Sequence, residues 1–216
     1  MNLHIVTPFS RIDNKDFYVK GFSKYKNLIW HPITFYKDYF IEEASSYEWI
    51  KPCLLEDHSI ELNLYNPSTI KLNFFIQNYP IIENDLYCFI FDDDWIEEDL
   101  VPKILEYEKE EVIFISMKRG YAIPKDAPRH GVCTLTPYKN VKAGSIGFQQ
   151  IFVKGSVLKQ MEFIEDKNNI QSGMPDGYMA EWLQENFKVK YINNIYSYFN
   201  FLERGRWVKP PTLKNY

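Results

Sequence analysis

Three consecutive carboxylates, Asp92-Asp93-Asp94, carry the strongest chemical signal in this 216-residue chain. Adjacent carboxylates repel, and each raises its neighbours' pKa unless a cation sits among them. An oxygen-only ligand set suits Mg2+ or Mn2+, held by one or two carboxylates together with a nucleotide's phosphates. The plainer reading is that Asp94, with Glu97 at capping-box spacing, starts a helix. That accounts for only one of the three. A second acidic candidate is Asp176, in Pro175-Asp176-Gly177, as a general base or as the N-cap of a helix beginning at Gly177. A third is the stretch from Lys142 to Gln150. Its Gly144 and Gly147 permit close backbone approach to a ligand, or simply a tight turn.

These residues need a frame. Leu3-His4-Ile5-Val6 reads as a short strand that stops at Thr7-Pro8. Asp13 to Asp16 is suited to cap a helical segment over residues 17–25, and residues 28–35 read as a second strand. Residues 36–57 are irregular with some helix. Asn66-Pro67-Ser68 then opens a helix, with proline in the first turn where its missing N–H costs nothing.

The six-residue apolar run 86–91 suits a central strand covered on both faces, and the carboxylates follow it directly. A helix from Trp95 or Ile96 to about Lys109 and a buried strand over 112–116 continue the rhythm. Strand and helix in alternation predict an α/β fold, with a mostly parallel central sheet flanked by helices. Past Gly120 the texture changes to loops and short strands near 132–135 and 149–153. Helices are expected over 156–163 and 176–186, a strand pair over 189–192 and 196–201, and a basic tail from Arg204. The chain reads as one domain, in two parts over about 1–117 and 118–203 with a tail over 204–216.

Composition removes several classes of function. Lys and Arg total 25 against 29 Asp and Glu, a net charge of −4, which leaves no electrostatic footprint for duplex nucleic acid. Cys53, Cys88 and Cys133 are widely spaced and read as buried free thiols. No apolar run approaches the length of a membrane span and no signal peptide opens the chain, so a cytoplasmic location is expected, with peripheral membrane association left open. Sixteen Tyr, sixteen Phe and five Trp are enough to stack on sugar rings.

Phe89-Ile90-Phe91-Asp92-Asp93-Asp94-Trp95, set behind a strand ending Val6-Thr7-Pro8-Phe9-Ser10-Arg11, resembles the small inverting, family-2-like glycosyltransferases of the GT-A fold. The third element of that resemblance is Pro175-Asp176-Gly177-Tyr178-Met179-Ala180-Glu181-Trp182. The resemblance implies Asp94 as metal ligand, with Asp92 sharing the metal or contacting the ribose and Asp93 nearby. It implies a nucleoside pocket lined by Thr7, Pro8, Phe9 and Arg11, Gly144 and Gly147 bordering the donor sugar, and Asp176 as catalytic base. The implied reaction is metal-dependent transfer of a sugar from a nucleotide-diphosphate donor, UDP-type, to a saccharide or glycolipid hydroxyl with inversion. The chain departs from the family in having Pro-Asp where Glu-Asp is usual, and in lacking the Gln-x-x-Arg-Trp that commonly follows. A nucleotidyltransferase of similar build is the first alternative, although its N-terminal loop should be Gly-rich and residues 7–11 hold no glycine. A non-catalytic carbohydrate-binding module is the second.

Overall fold

The computed structural model describes residues 1–34, 40–55, 67–97, 99–119, 134–135, 137–163 and 174–199. Its strands are β1 (Leu3–Pro8), β2 (Leu28–Thr34), β3 (Cys53–Leu54), β4 (Leu86–Phe89), β5 (Trp95–Ile96), β6 (Val112–Arg119), β7 (Thr134–Leu135), β8 (Ile151–Lys154) and β9 (Val189–Phe199). The helices are α1 (Lys15–Phe22), α2 (Ile41–Ser46), α3 (Pro67–Asn78), α4 (Leu100–Leu105), α5 (Gly155–Leu158) and α6 (Pro175–Asn186). One sheet runs β3-β2-β1-β4-β8-β6-β9-β5, with β7 paired to β6.

The sheet is parallel through β3, β2, β1 and β4, and again between β6 and β9. β8 lies antiparallel between β4 and β6. The sheet is therefore mixed.

Period-two alternation divides every central strand between two cores. Leu3 and Ile5, Leu86 and Cys88, Ile113 and Ile115, and Phe152 face one side, where α1 (Tyr18, Phe22) and α4 (Leu100, Val101, Ile104) close over them. Val6, Tyr87, Phe89, Val112, Phe114, Ile151 and Val153 face the other, packed by α3 (Leu72, Phe75), α5 (Val157, Leu158) and α6 (Met179, Ala180, Leu183). Helices thus cover both faces, as the apolar run through β4 requires. Cys53 and Cys88 are buried free thiols; Cys133 lies outside the described residues.

Three sequence expectations change. Asp94 caps no helix, because Trp95 and Ile96 extend as β5 and pair with Tyr198 and Ser197 of β9. The cause is Trp95. Its indole stacks on Phe22 at 5.0 Å and reaches across α1 at Gly21, where a Cβ would lie 2.2 Å from the ring. The helix starts only at Leu100. Residues 189–199 form one strand rather than two, because both parts stay parallel to β6; the register slips between Ile115 and Ser116, so residues 193–195 bulge out. The helix expected over 156–163 is the single turn α5. Among the described residues, no helix is long and apolar enough to cross a membrane.

Candidate functional site

Strand directions gather the predicted residues at one edge of the sheet. β1 and β4 are parallel, so the 9–11 loop and the 92–94 turn leave from the same edge. β8 runs antiparallel to β4, with Phe152 opposite Cys88, so the chain through Gly144 and Gly147 enters β8 there as well. α6 leads into β9, which runs parallel to β6; its N-terminal turn, with Asp176, therefore lies toward the same carboxyl edge. In α/β sheets this edge is the usual ligand-binding edge.

The first cluster is built on Asp92, 3% exposed. One carboxylate oxygen accepts the backbone N–H groups of Ser10 (2.6 Å) and Arg11 (2.7 Å). The other accepts the Arg11 guanidinium, which also lies 3.3 Å from an Asp93 oxygen. Burial works against the charge on Arg11, but Asp92 and Asp93 outweigh it and hold its pKa above the ordinary arginine value. Burial pushes the Asp93 carboxyl up, with Arg11 opposing and Asp92 reinforcing the shift.

Two further side chains fasten the turn. Asn14 occupies the N-cap position of α1 without capping it; its amide donates instead to the Asp92 carbonyl at 2.6 Å. The Tyr18 hydroxyl donates to the Asp94 carbonyl at 2.5 Å. From α3, the Lys71 ammonium donates to the Phe9 carbonyl (3.2 Å) and to Ser10 Oγ (2.9 Å). Burial lowers its pKa to about 8, against the pull of Asp92.

The other residues proposed for a nucleoside pocket are buried. Thr7 is 0% exposed and accepts the Trp30 indole N–H at 3.0 Å. Pro8 sits within β1, opposite Ile33. Phe9 is packed edge-on against Tyr18, Trp30 and Phe40. These three shape the strand end from within, and Arg11 is the member of the set whose charged group reaches the carboxylates.

The second cluster joins the Gly144 loop to α6. Gly144 has φ +81°, a left-handed conformation in which glycine is unstrained. Gly177 lies so close to the loop that a Cβ there would be 2.3 Å from Ala143 Cα. Glu181 accepts the Ala143 N–H at 2.9 Å. Gly147 donates its N–H to Gln150 Oε1, closing the turn before β8. Asp176 is not the N-cap, which is Met174; it stands in the first turn of α6 and accepts the Gly177 N–H at 2.8 Å. Burial raises its pKa, opposed by the N–H groups of Gly177 and Asp176.

As arranged, the Asp92 carboxylate is not open to the expected Mn2+ or Mg2+. Asp92 gives both oxygens to Arg11 and the loop amides, and Asp94, 0% exposed, lies wholly buried. Among the described residues, no group of three or more His, Cys, Asp or Glu side chains is disposed to hold a metal. The cation answering the acidic turn is the guanidinium.

Sequence reasoning missed Asn14, Tyr18 and Lys71 as members of this cluster. Tyr18 reads as core because its ring is core, and only its hydroxyl is not. Lys71 left one faint signal, a lysine beside the apolar positions Ile70 and Leu72. The basic tail from Arg204 lies outside the described residues.

The strand order and the helix-covered faces define a mixed α/β fold of the GT-A-like Rossmann class. Among solved structures, the chain is similar to a Bacillus anthracis protein provisionally named a glucose-1-phosphate thymidylyltransferase, with 11% identity and TM-score 0.51 over 91% of this chain and 89% of that one. It is also similar to an inositol-1-phosphate CTP transferase from T. maritima, with 11% identity and TM-score 0.50 over 98% of this chain and 91% of that one. No family model and no curated protein matches the sequence. At these identities the likeness is one of fold.

Proposed function

We propose that this chain is a nucleotide-dependent transferase whose phosphate-binding group is Arg11, and that the group it transfers is a nucleotidyl unit. The observation that carries the reading is the Arg11 guanidinium, fixed at the carboxyl edge of β1 and β4 by Asp92 and facing Asp93. The two solved neighbours, one named a thymidylyltransferase and one a CTP transferase, lend support to this choice of transferred group.

In nucleotidyl transfer, a phosphate oxygen of the acceptor attacks the α-phosphorus of a nucleoside triphosphate and pyrophosphate leaves. The nucleophile is already anionic and needs no base. What the step needs is a fixed positive charge beside the phosphates, preorganised so that little rearrangement accompanies the reaction. Arg11 offers that charge in competition with Asp92 and Asp93, which already hold one of its terminal nitrogens, and its planar fork has further donors for phosphate oxygens. Lys71 holds the Phe9–Ser10 backbone that carries it.

Glycosyl transfer is the second reading, and Asp176 is the observation that favours it. A sugar hydroxyl, unlike a phosphate, needs a base, and a carboxylate whose pKa is raised by burial at the same edge has that capacity. The absence of glycine from residues 7–11 points the same way.

Two product assays separate the readings. The protein is incubated with each nucleoside triphosphate and hexose 1-phosphates, and in parallel with nucleotide sugars and free saccharides. Pyrophosphate released only with the sugar phosphate, and lost in Arg11→Met, supports nucleotidyl transfer. Nucleoside diphosphate released from a nucleotide sugar, and lost in Asp176→Asn, supports glycosyl transfer instead. Neither product would sink both readings.

A further inference from the structure

Ser10 and Lys71 come from different elements, 61 residues apart, and their side chains meet at 2.9 Å beside Arg11. We propose that they form a nucleophile–base pair, in which Ser10 Oγ accepts a phosphoryl-type group from an activated phosphate and Lys71 takes the serine proton. The loop holds Ser10 in place for this. The Phe9 N–H donates to the Ile33 carbonyl at 2.8 Å, the Ser10 and Arg11 N–H groups donate to Asp92, and the Asn14 N–H donates to the Arg11 carbonyl at 2.9 Å. The backbone on either side of Ser10 is therefore tied, while Ser10 itself is exposed. A hydroxyl presented on a fixed backbone needs little further ordering to meet an incoming group.

Lys71 has the opposite environment. It is 3% exposed and approaches from the second turn of α3. A buried lysine gives up its proton readily and can then serve as a base. Burial is the largest influence on it; Asp92 opposes that shift and Arg11 reinforces it. The neutral form fits the same contacts. Its amine keeps an N–H for the Phe9 carbonyl and turns its lone pair to the Ser10 hydroxyl, which then donates. A serine hydroxyl alone is a weak nucleophile, and an adjacent base is what activates it. Arg11, the next residue, has donors left to stabilise negative charge building on the phosphoryl oxygens.

In the step, Ser10 Oγ bonds to phosphorus while the bond from phosphorus to the leaving group breaks. The leaving group departs with the electron pair, and the serine proton passes to the neutral Lys71 amine. With a nucleoside triphosphate attacked at the α-phosphorus, the products are nucleotidyl-Ser10 and pyrophosphate. That donor rests on the nucleotide reading above, whereas the reactivity of the pair does not.

The probe is an alkyl fluorophosphonate, which offers a tetrahedral phosphorus with fluoride as leaving group and needs no nucleotide site. It is incubated with the intact protein at a series of pH values, and adducts are located by peptide mass spectrometry. The expected adduct is on Ser10 and is lost in Ser10→Ala. Its rate should rise as pH passes about 8, where Lys71 loses its proton, and then level off. Lys71→Arg keeps a donor for Phe9 and Ser10 but no base, and should slow labelling by about a hundredfold. No adduct on Ser10 overturns the proposal, as does a Lys71→Arg rate equal to that of wild type. So does a wild-type rate with no inflection near that pH. A second arm replaces the probe with each nucleoside triphosphate. A nucleotidyl adduct on Ser10 supports the triphosphate as donor; a fluorophosphonate adduct without a nucleotidyl one upholds the pair and counts against the nucleotide reading.

Discussion

Both ends of the β1–β4 strand pair bury charged groups, and they do so in opposite ways. At the amino end, His4 Nε2 lies 3.0 Å from Asp85 Oδ2, and His4 Nδ1 lies 2.9 Å from His31 Nε2. Asn2 closes the chain by donating to Asp85 from its backbone and its side chain. Burial lowers the pKa of both histidines, against the pull of Asp85 on His4, and His31 falls to about 3. This end is sealed: a neutral imidazole pair and one carboxylate, stacked on Tyr87. The carboxyl end concentrates three aspartates against Arg11 and Lys71, and the Arg11 side chain remains 25% exposed. A buried network at the amino end completes the fold. At the carboxyl end a network of similar depth leaves one cation within reach of solvent, which is what a phosphate site requires.

The largest effect separating the two ends is expected from Asp92→Ala. Removing this carboxylate frees the Ser10 and Arg11 N–H groups and leaves a guanidinium without its main partner, at a cost of about 3 kcal/mol. Urea denaturation measures it; a loss below about 1 kcal/mol would mean that Asp92 is not the anchor.

A smaller effect belongs to the amino end and appears as a pH dependence. The folded pKa of His31 lies below its unfolded value of about 6.5, so between that value and about 3 the unfolded chain binds more protons. Stability is therefore complete above pH 6.5 and is lost as pH falls, by about 2 kcal/mol at pH 5 from His31 alone. His4 adds to the loss in the same direction. Denaturation at pH 7 and pH 5 should show this slope, and His31→Phe should flatten it. A slope unchanged in that variant would place the acid sensitivity elsewhere.

The smallest effect tests the second cluster against the first. Gly144→Ala forces a side chain into the left-handed region and should cost about 1 kcal/mol. Because it loosens the loop beneath α6 and spares the Arg11 loop, it should slow turnover while nucleotide affinity stays unchanged. Weakened nucleotide binding in this variant would merge the two clusters into one.

Much of the frame was legible in the sequence because burial imposes periodicity on it. The run 86–91 announces a strand covered on both faces, and Pro67 opens α3 as expected. What failed was local reasoning at Asp94-Trp95. Capping-box spacing is a short-range signal, whereas the docking of Trp95 under α1 at Gly21 is a tertiary one, and the tertiary contact decides. The sequence named the acids and Arg11 of the candidate site as residues able to do chemistry. The site was not legible in the pairing of Arg11 with Asp92, 81 residues apart, or in Lys71, whose role depends on where α3 packs. Ionisable residues reveal their type in a sequence; their partners are set by the sheet.

The central claim is that Arg11 binds nucleotide phosphates at the carboxyl end while the amino end plays no part. Thermal denaturation against nucleoside di- and triphosphates, with and without Mn2+, tests it in wild type, Arg11→Met and Asp85→Asn. A nucleotide at a hundredfold its dissociation constant stabilises by about 2.7 kcal/mol, a rise of roughly 5 °C or more for a chain of this size. The account predicts that shift in wild type, its loss in Arg11→Met, and its retention in Asp85→Asn from a lowered starting temperature. A full shift in Arg11→Met, or no shift with any nucleotide in wild type, would contradict it.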